Sequence, residues 1–418
     1  VNARRPRERP AGRPSLAGVE WTVDVGPVAH GGHCVARHEG QVIFVRHALP
    51  GERVVARVTE GRIGDRFVRA DAVEVLTASP HRVVPPCPYA AARVCGGCDF
   101  QHATLPYQRE LKAAVVREQL ARLAGLDVDP EVQPVPGDED GLRWRTRVEF
   151  AVNRSGRAGL RGHRSRHIVP VDDCLIATRG VVGSGVLDTD WSGCTAVDVV
   201  DAAHPDEPVL VPLPVPPGAD RAGGLVGERV SDGAWEVEYV VAARGFWQVH
   251  PGAATTFLSR VVALLAPGPG DRVLDLYAGA GLFTVRLADL IEPDGHVLGV
   301  EGDARAVADG VRNTDDRANV EWRTNRVERE LASLVAQGIS ADLVVLDPPR
   351  TGAGPAVMAD LAALQPRRVV YVACDPAALA RDVQAAGAHG YRLAHVEAWD
   401  AFPMTHHVEC IAVLEPGP

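Results

Sequence analysis

The sequence predicts an α/β protein in three parts: an OB-like β-barrel, a central α+β region, and a C-terminal doubly wound, Rossmann-like parallel sheet. Three observations carry this reading. Residues 16–77 alternate short Val/Ile/Phe runs with Gly-Gly, Glu-Gly and Pro-Gly turns, as a small all-β barrel does. Past residue 243, "RVLDLYAGAG", "HVLGVEGD", "ADLVVLDPP" and "RVVYVACDP" alternate with helical stretches, the rhythm of βαβ units. Between the two lies a stretch of strands opened by a Pro/Cys-rich connector and one helix. At 418 residues the chain exceeds one ordinary core, so several domains are expected.

Taken in order, residues 1–15 form an arginine- and proline-rich tail expected to be disordered. The barrel follows over 16–77, and the central region spans 78–242. Within it, "LPYQRELKAAVVREQLARLAGL" (105–126) has helical periodicity with Gly125 as its stop. Strands then run from 142 to 242, interrupted by the surface loop "PDEPVLVPLPVPPGAD". The C-terminal domain occupies 243–418. No apolar run reaches the ~18–20 residues of a membrane span, and the first residues lack a signal-peptide core. A cytoplasmic protein is the expectation.

A net charge of −10 argues against holding a polyanion by bulk charge. Distribution matters more than the sum. Residues 141–168 carry eight arginines against the single Glu149, a pattern that serves either as a solvated face or as a phosphate-contacting patch.

The chemistry concentrates at the strand ends of the C-terminal domain. "DRVLDLYAGAGLFTVRLA" runs from an apolar strand bearing Asp275 into a turn with Gly279 and Gly281, which let backbone approach a ligand at a helix N-terminus. Thr284 stands where a dinucleotide fingerprint needs its third glycine. About twenty residues on, Glu301 ends the next strand, placed to take two ribose hydroxyls. The combination favours S-adenosylmethionine over NAD. Asp347-Pro348-Pro349 then ends a further strand, where methyltransferases meet the acceptor base, and Arg350 replaces the aromatic that amino-group methylation uses. Cys374 ends the strand after that, just before a helix, in a field expected to favour the thiolate. Ligands of such sheets bind at the carboxyl ends of strands, so these residues converge. A thiol there suits C5 methylation of a pyrimidine. Thiolate addition at C6 makes C5 nucleophilic, and a general base must then remove the C5 proton. Glu409, in "DAFPMTHHVECIAVL", is the candidate base.

Together, "GFWQVHP", "DLYAGAG", "LDPPRTG", "YVACDPAALARD" and "FPMTHHVE" resemble the RNA uracil-C5 methyltransferases that carry an N-terminal TRAM domain, over residues 16–414. The resemblance implies Cys374 as nucleophile, Glu409 as base, and Gln248, Tyr277, Glu301 and Asp347 around S-adenosylmethionine. Its partner would be structured RNA, ribosomal or transfer, with the target base flipped into a monomeric enzyme. The sequence departs from the family at Ala373 and Asp375, where Ser and Asn flank the cysteine, and at His250, Leu282 and Arg326.

Eight cysteines in such a chain suggest no disulfide framework. Cys87, Cys95, Cys98 and the outlying Cys174 suit zinc or a cubane iron–sulfur cluster by spacing. The resemblance implies a [4Fe–4S] cluster. Cys34, Cys194 and Cys410 are expected to be free. Two other classes fit parts of the pattern: a non-catalytic iron–sulfur RNA-binding protein, against which the paired Cys374 and Glu409 argue, and a cytosine-C5 enzyme, whose nucleophile typically follows proline or threonine.

Overall fold

The computed structural model describes residues 13–92, 94–215, 218 and 220–417; residues 1–12 of the expected tail lie outside them. Its elements begin with five strands, β1 (Glu20–Ala29), β2 (His33–His38), β3 (Gln41–Arg46), β4 (Arg53–Glu60) and β5 (Phe67–Thr77). They close a barrel in the order β1-β2-β3-β5-β4. The alternation read in the sequence fills it: Val23, Ile43, Val45, Val54, Val58 and Val68 are all buried on its inner face.

Helix α1 (Leu105–Gln119) starts with Pro106 in its first turn and runs on through one π turn, Leu120–Ala124. Gly125 ends it in the left-handed region at φ 68°, as its sequence position suggested. The helix serves two cores at once. Leu111 and Val115 pack into the barrel, while Val116 and Leu120 pack under the C-terminal sheet. Lys112, buried on the same helix, places Nζ 2.5 Å from Asp400 Oδ1 and donates to the Phe402 carbonyl at 3.0 Å. Lys112→Ala would strand the Asp400 charge in the interior. We expect it to destabilise the protein by about 3–5 kcal/mol, read as a lowered thermal unfolding midpoint. A shift within experimental error would mean that Asp400 finds another partner.

The central region follows: β6 (Val132–Pro134), β7 (Arg147–Val152), β8 (Ala158–Arg161), β9 (Ile168–Pro170), α2 (Arg179–Gly183), β10 (Ala196–Val200), β11 (Val209–Leu213), β12 (Leu225–Asp232) and β13 (Trp235–Ala242). Five of these strands form one sheet, β11-β10-β7-β8-β9, over a core of Trp144, Phe150, Val197 and Val199. The others pack with the C-terminal domain. Strand β6 adds to the edge of its sheet, and the β12–β13 hairpin buries Val230, Tyr239 and Val241 against its helices.

That domain comprises α3 (Ala253–Leu265), β14 (Arg272–Leu276), α4 (Leu282–Leu290), β15 (His296–Glu301), α5 (Ala304–Asn313), β16 (Val320–Thr324), α6 (Val327–Ala336), β17 (Leu343–Leu346), α7 (Pro355–Ala363), β18 (Arg368–Ala373), α8 (Pro376–Gly387), β19 (Tyr391–Asp400) and β20 (Glu409–Pro416). Its eight strands run β16-β15-β14-β17-β18-β20-β19-β6. The first five are mutually parallel, and β20 turns antiparallel between β18 and β19. Apolar layers cover both faces, which is why strands such as Leu343–Leu346 read as continuous apolar runs. The order in which the chain adds parallel strands reverses between β14 and β17, opening a crevice at their carboxyl ends.

The arginine-rich stretch divides its labour. Arg143 pairs with Asp173 through both nitrogens, at 2.8 and 2.6 Å, and Arg147 reaches Glu228 at 2.5 Å. Those two brace the fold. Arg154, Arg157, Arg161, Arg164 and Arg166 are exposed, and of these Arg164 lies 3.7 Å from Glu60. Among the described residues no helix is long and apolar enough to cross a membrane.

Candidate active site

The glycine turn after β14 is shaped by backbone no ordinary residue adopts easily: Gly279 sits at φ 55° and Gly281 at φ 90°. Tyr277 shares the left-handed region at φ 60°, a strain that a ligand-facing turn can retain. Glu301, ending β15, accepts the Gly279 N–H at 3.1 Å and the Asp303 N–H at 2.8 Å. The two strand ends are thereby locked together. Asp275 is buried on β14 and accepts from the Thr284 hydroxyl at 2.5 Å, so the threonine that breaks the dinucleotide pattern has a structural role. Trp322 on β16 lies 3.3 Å from where a Cβ at Gly281 would be, and closes the turn from the side. Gln248 is half-buried in the segment after β13. Its neighbour Trp247 stacks obliquely on Tyr239 at 5.2 Å, and Tyr239 donates to the Leu282 carbonyl at the start of α4 at 2.9 Å. These contacts seat the segment beside the glycine turn.

Strand register brings the proposed nucleophile and base together. Strands β18 and β20 pair antiparallel up to Ala373↔Cys410, so Cys374 and Glu409 stand opposite one another just beyond. Glu409 is 5% exposed and its Oε2 has no hydrogen-bond partner. Burial, followed by the charge of Asp347, raises its carboxyl well above the usual range, with Arg350 opposing. Burial and the nearby Asp275 lift Asp347 to about 7. Cys374 lines a cavity of 170 Å³ with His30, Arg350, Asp375, His406 and His407.

One expectation is reversed here. The thiol of Cys374 is not favoured as a thiolate: burial and the carboxylates of Glu409, Asp347 and Asp375 push it up to about 12, against Arg350 alone. Burial is the largest cause, with Glu409 and Asp347 ahead of Asp375, whose carboxylate also caps the helix. Asp375 Oδ1 accepts the Ala378 N–H at 2.8 Å, so the positive end of α8 is answered by a carboxylate before it reaches the sulfur.

Sequence reasoning missed several groups at this edge. Tyr371 donates to Asp382 at 2.7 Å, and Asp382 also accepts the Ala353 and Gly354 N–H groups, at 2.8 and 3.0 Å. That network holds the loop after Asp347-Pro348-Pro349. A signal existed, since Asp382 interrupts the otherwise apolar buried face of α8. Arg350 lies 3.4 Å from His407 Nε2.

The four candidate metal-binding cysteines, Cys87, Cys95, Cys98 and Cys174, line one cavity of 50 Å³ between the connector and the central sheet. Gln101 donates to Cys98 Sγ at 3.1 Å and the Gly97 N–H to Cys95 Sγ at 3.4 Å. Among the described residues no three His, Cys, Asp or Glu side chains are spaced to hold a single metal ion. All eight cysteines are free of disulfides.

A glycine turn, a strand-end acidic residue and an acidic loop at one crevice define an S-adenosylmethionine-dependent methyltransferase. Residues 14–73 match the TRAM domain family and residues 226–416 match the tRNA (uracil-5-)-methyltransferase family. An uncharacterized RNA methyltransferase of Streptomyces avermitilis is 48% identical, covering 96% of this chain and 99% of its own. One from Bifidobacterium longum is 36% identical, covering 96% and 98% respectively. The chain belongs to the TRAM-domain RNA (uracil-5-)-methyltransferase family. The Pyrococcus abyssi tRNA (uracil-54, C5)-methyltransferase, solved with S-adenosyl-L-homocysteine, shares the fold over 94% of this chain and 100% of its own, with TM-score 0.69 and 23% identity.

Proposed function

We propose that this enzyme methylates C5 of a specific uridine in 23S ribosomal RNA, acting as a monomer through a covalent Cys374 adduct with Glu409 as general base. The pairing of Cys374 with the buried, unpartnered Glu409 across β18 and β20 carries the mechanism. Cys374 gives its proton to solvent as its sulfur adds to uracil C6, which makes C5 enolate-like. S-adenosylmethionine, held beside Gln248, Tyr277, Glu301 and Asp347, supplies the methyl group. Glu409 takes the C5 proton, the C6–S bond breaks, and the 5,6 double bond returns. A cationic sulfonium beside Asp347 and Glu409 would favour the ionised carboxylates that burial disfavours, and the exposed arginines of 154–166 suit RNA phosphates.

The barrel joined to a four-thiol cavity resembles the large-subunit ribosomal RNA enzymes and supports the ribosomal substrate. The family description for residues 226–416 favours a second reading, a transfer RNA uridine. Mapping 5-methyluridine in ribosomal and transfer RNA from a deletion strain separates the two. Loss at one 23S position is expected. Loss only from transfer RNA selects the second reading, and no loss from either overturns both.

The four cysteines fit a [4Fe–4S] cluster with a structural or RNA-facing role: they line one cavity, and two of them, Cys95 and Cys98, already receive N–H donors. Anaerobically purified protein is expected to carry about four irons and four sulfides per chain. Stoichiometric zinc without iron would replace this assignment.

A further inference from the structure

The turn between β1 and β2 of the barrel reaches the catalytic cavity. His30 Nε2 lies 2.9 Å from Asp375 Oδ2, across 345 residues of sequence, and both side chains line the cavity with Cys374. Asp375 has two tasks: Oδ1 caps α8, and Oδ2 meets His30. The family resemblance places Asn at this position, and Asn caps a helix as well as Asp does. The carboxylate is therefore not required for the cap. It adds a negative charge one residue from the nucleophile, and His30 is the group that answers it.

We propose that His30 is a positioning residue: by pairing with Asp375 it docks the barrel turn over the cavity and offsets the one carboxylate that opposes ionisation of Cys374 without serving the chemistry. The proposal rests on Cys374 as the nucleophile. Cys374 is faced by Glu409 from β20, Asp347 and Arg350 from the loop after β17, and Asp375 on its own segment. Asp375, Glu118 of α1 and Arg381 of α8 face His30, and His406 and His407 complete the lining. The hydrogen bond to Asp375 raises the His30 pKa from 6.5, with burial opposing. The sign follows: the ion pair is complete below pH 6.5 and is lost as pH rises through the raised value.

The test is the reaction of Cys374 with 4,4′-dithiodipyridine in the full-length protein, followed by mass spectrometry of the Cys374 peptide between pH 5.5 and pH 9. The range runs from about one unit below the ordinary His value to about two and a half units above it. His30→Ala is expected to slow labelling about three- to tenfold at the acid end. The two proteins should converge at the alkaline end, where wild-type His30 is neutral. In an Asp375→Asn background, His30→Ala should change nothing. An effect of equal size at all pH values, or one that survives in the Asp375→Asn background, overturns the proposal, because a merely structural loss would behave that way. Labelling does not depend on methyl transfer, so it remains informative if Cys374→Ala retains activity, the result that defeats the nucleophile assignment instead.

Discussion

Cys374→Ala is expected to abolish 5-methyluridine formation, lowering the rate by roughly 10⁴ or more, as removal of a covalent nucleophile does. Alanine fits the site: Cys374 follows the buried Ala373 at the end of β18 and makes no hydrogen bond on which the strand depends. Binding of S-adenosylhomocysteine, measured by calorimetry, should therefore persist. Activity at the wild-type level would remove the thiol from the mechanism, and loss of nucleotide binding would show that the variant had lost the crevice rather than the chemistry.

Glu409→Gln should give the second large effect, of a different kind. Glutamine keeps the shape of the buried side chain but cannot take the C5 proton, so the adduct forms and fails to resolve. A slow-migrating, denaturation-resistant protein–RNA band is expected, with turnover reduced by about 10²–10⁴. The substitution also removes one of the charges that oppose the Cys374 thiolate, so adduct formation itself should not slow. A variant that turns over normally, or that accumulates no adduct, would assign the base elsewhere.

Much of this was legible in the residues. The barrel announced itself through alternation, and the α/β sheet through apolar strands ending at Tyr277, Glu301, Asp347 and Cys374. Even the cap could be read, since Asp375 before Pro376 is a helix-start pattern. What could not be read were long-range partners. The β12–β13 sequence says strand, but only packing shows that it lies against α3 and α5 rather than on the central sheet. Local charge misled at Arg143 and Arg147, whose carboxylates come from Asp173 and from Glu228, 81 residues away for the latter. Cys374 shows the same limit in electrostatics: a helix N-terminus is visible in sequence, whereas Glu409 and Asp347 crowding the same sulfur depend on the sheet order. His30 was invisible for that reason, because nothing local ties a barrel turn to a catalytic loop.

The most direct measurement uses target RNA carrying 5-fluorouridine at the modified position, incubated with enzyme and S-adenosylmethionine. Fluorine leaves Glu409 no C5 proton to remove, so methyl transfer should halt at the covalent stage. Digestion and mass spectrometry are expected to find a methylated fluorouridine on the Cys374 peptide and on no other cysteine. Recovery of free RNA only, or of an adduct on a different residue, would contradict a mechanism built on Cys374.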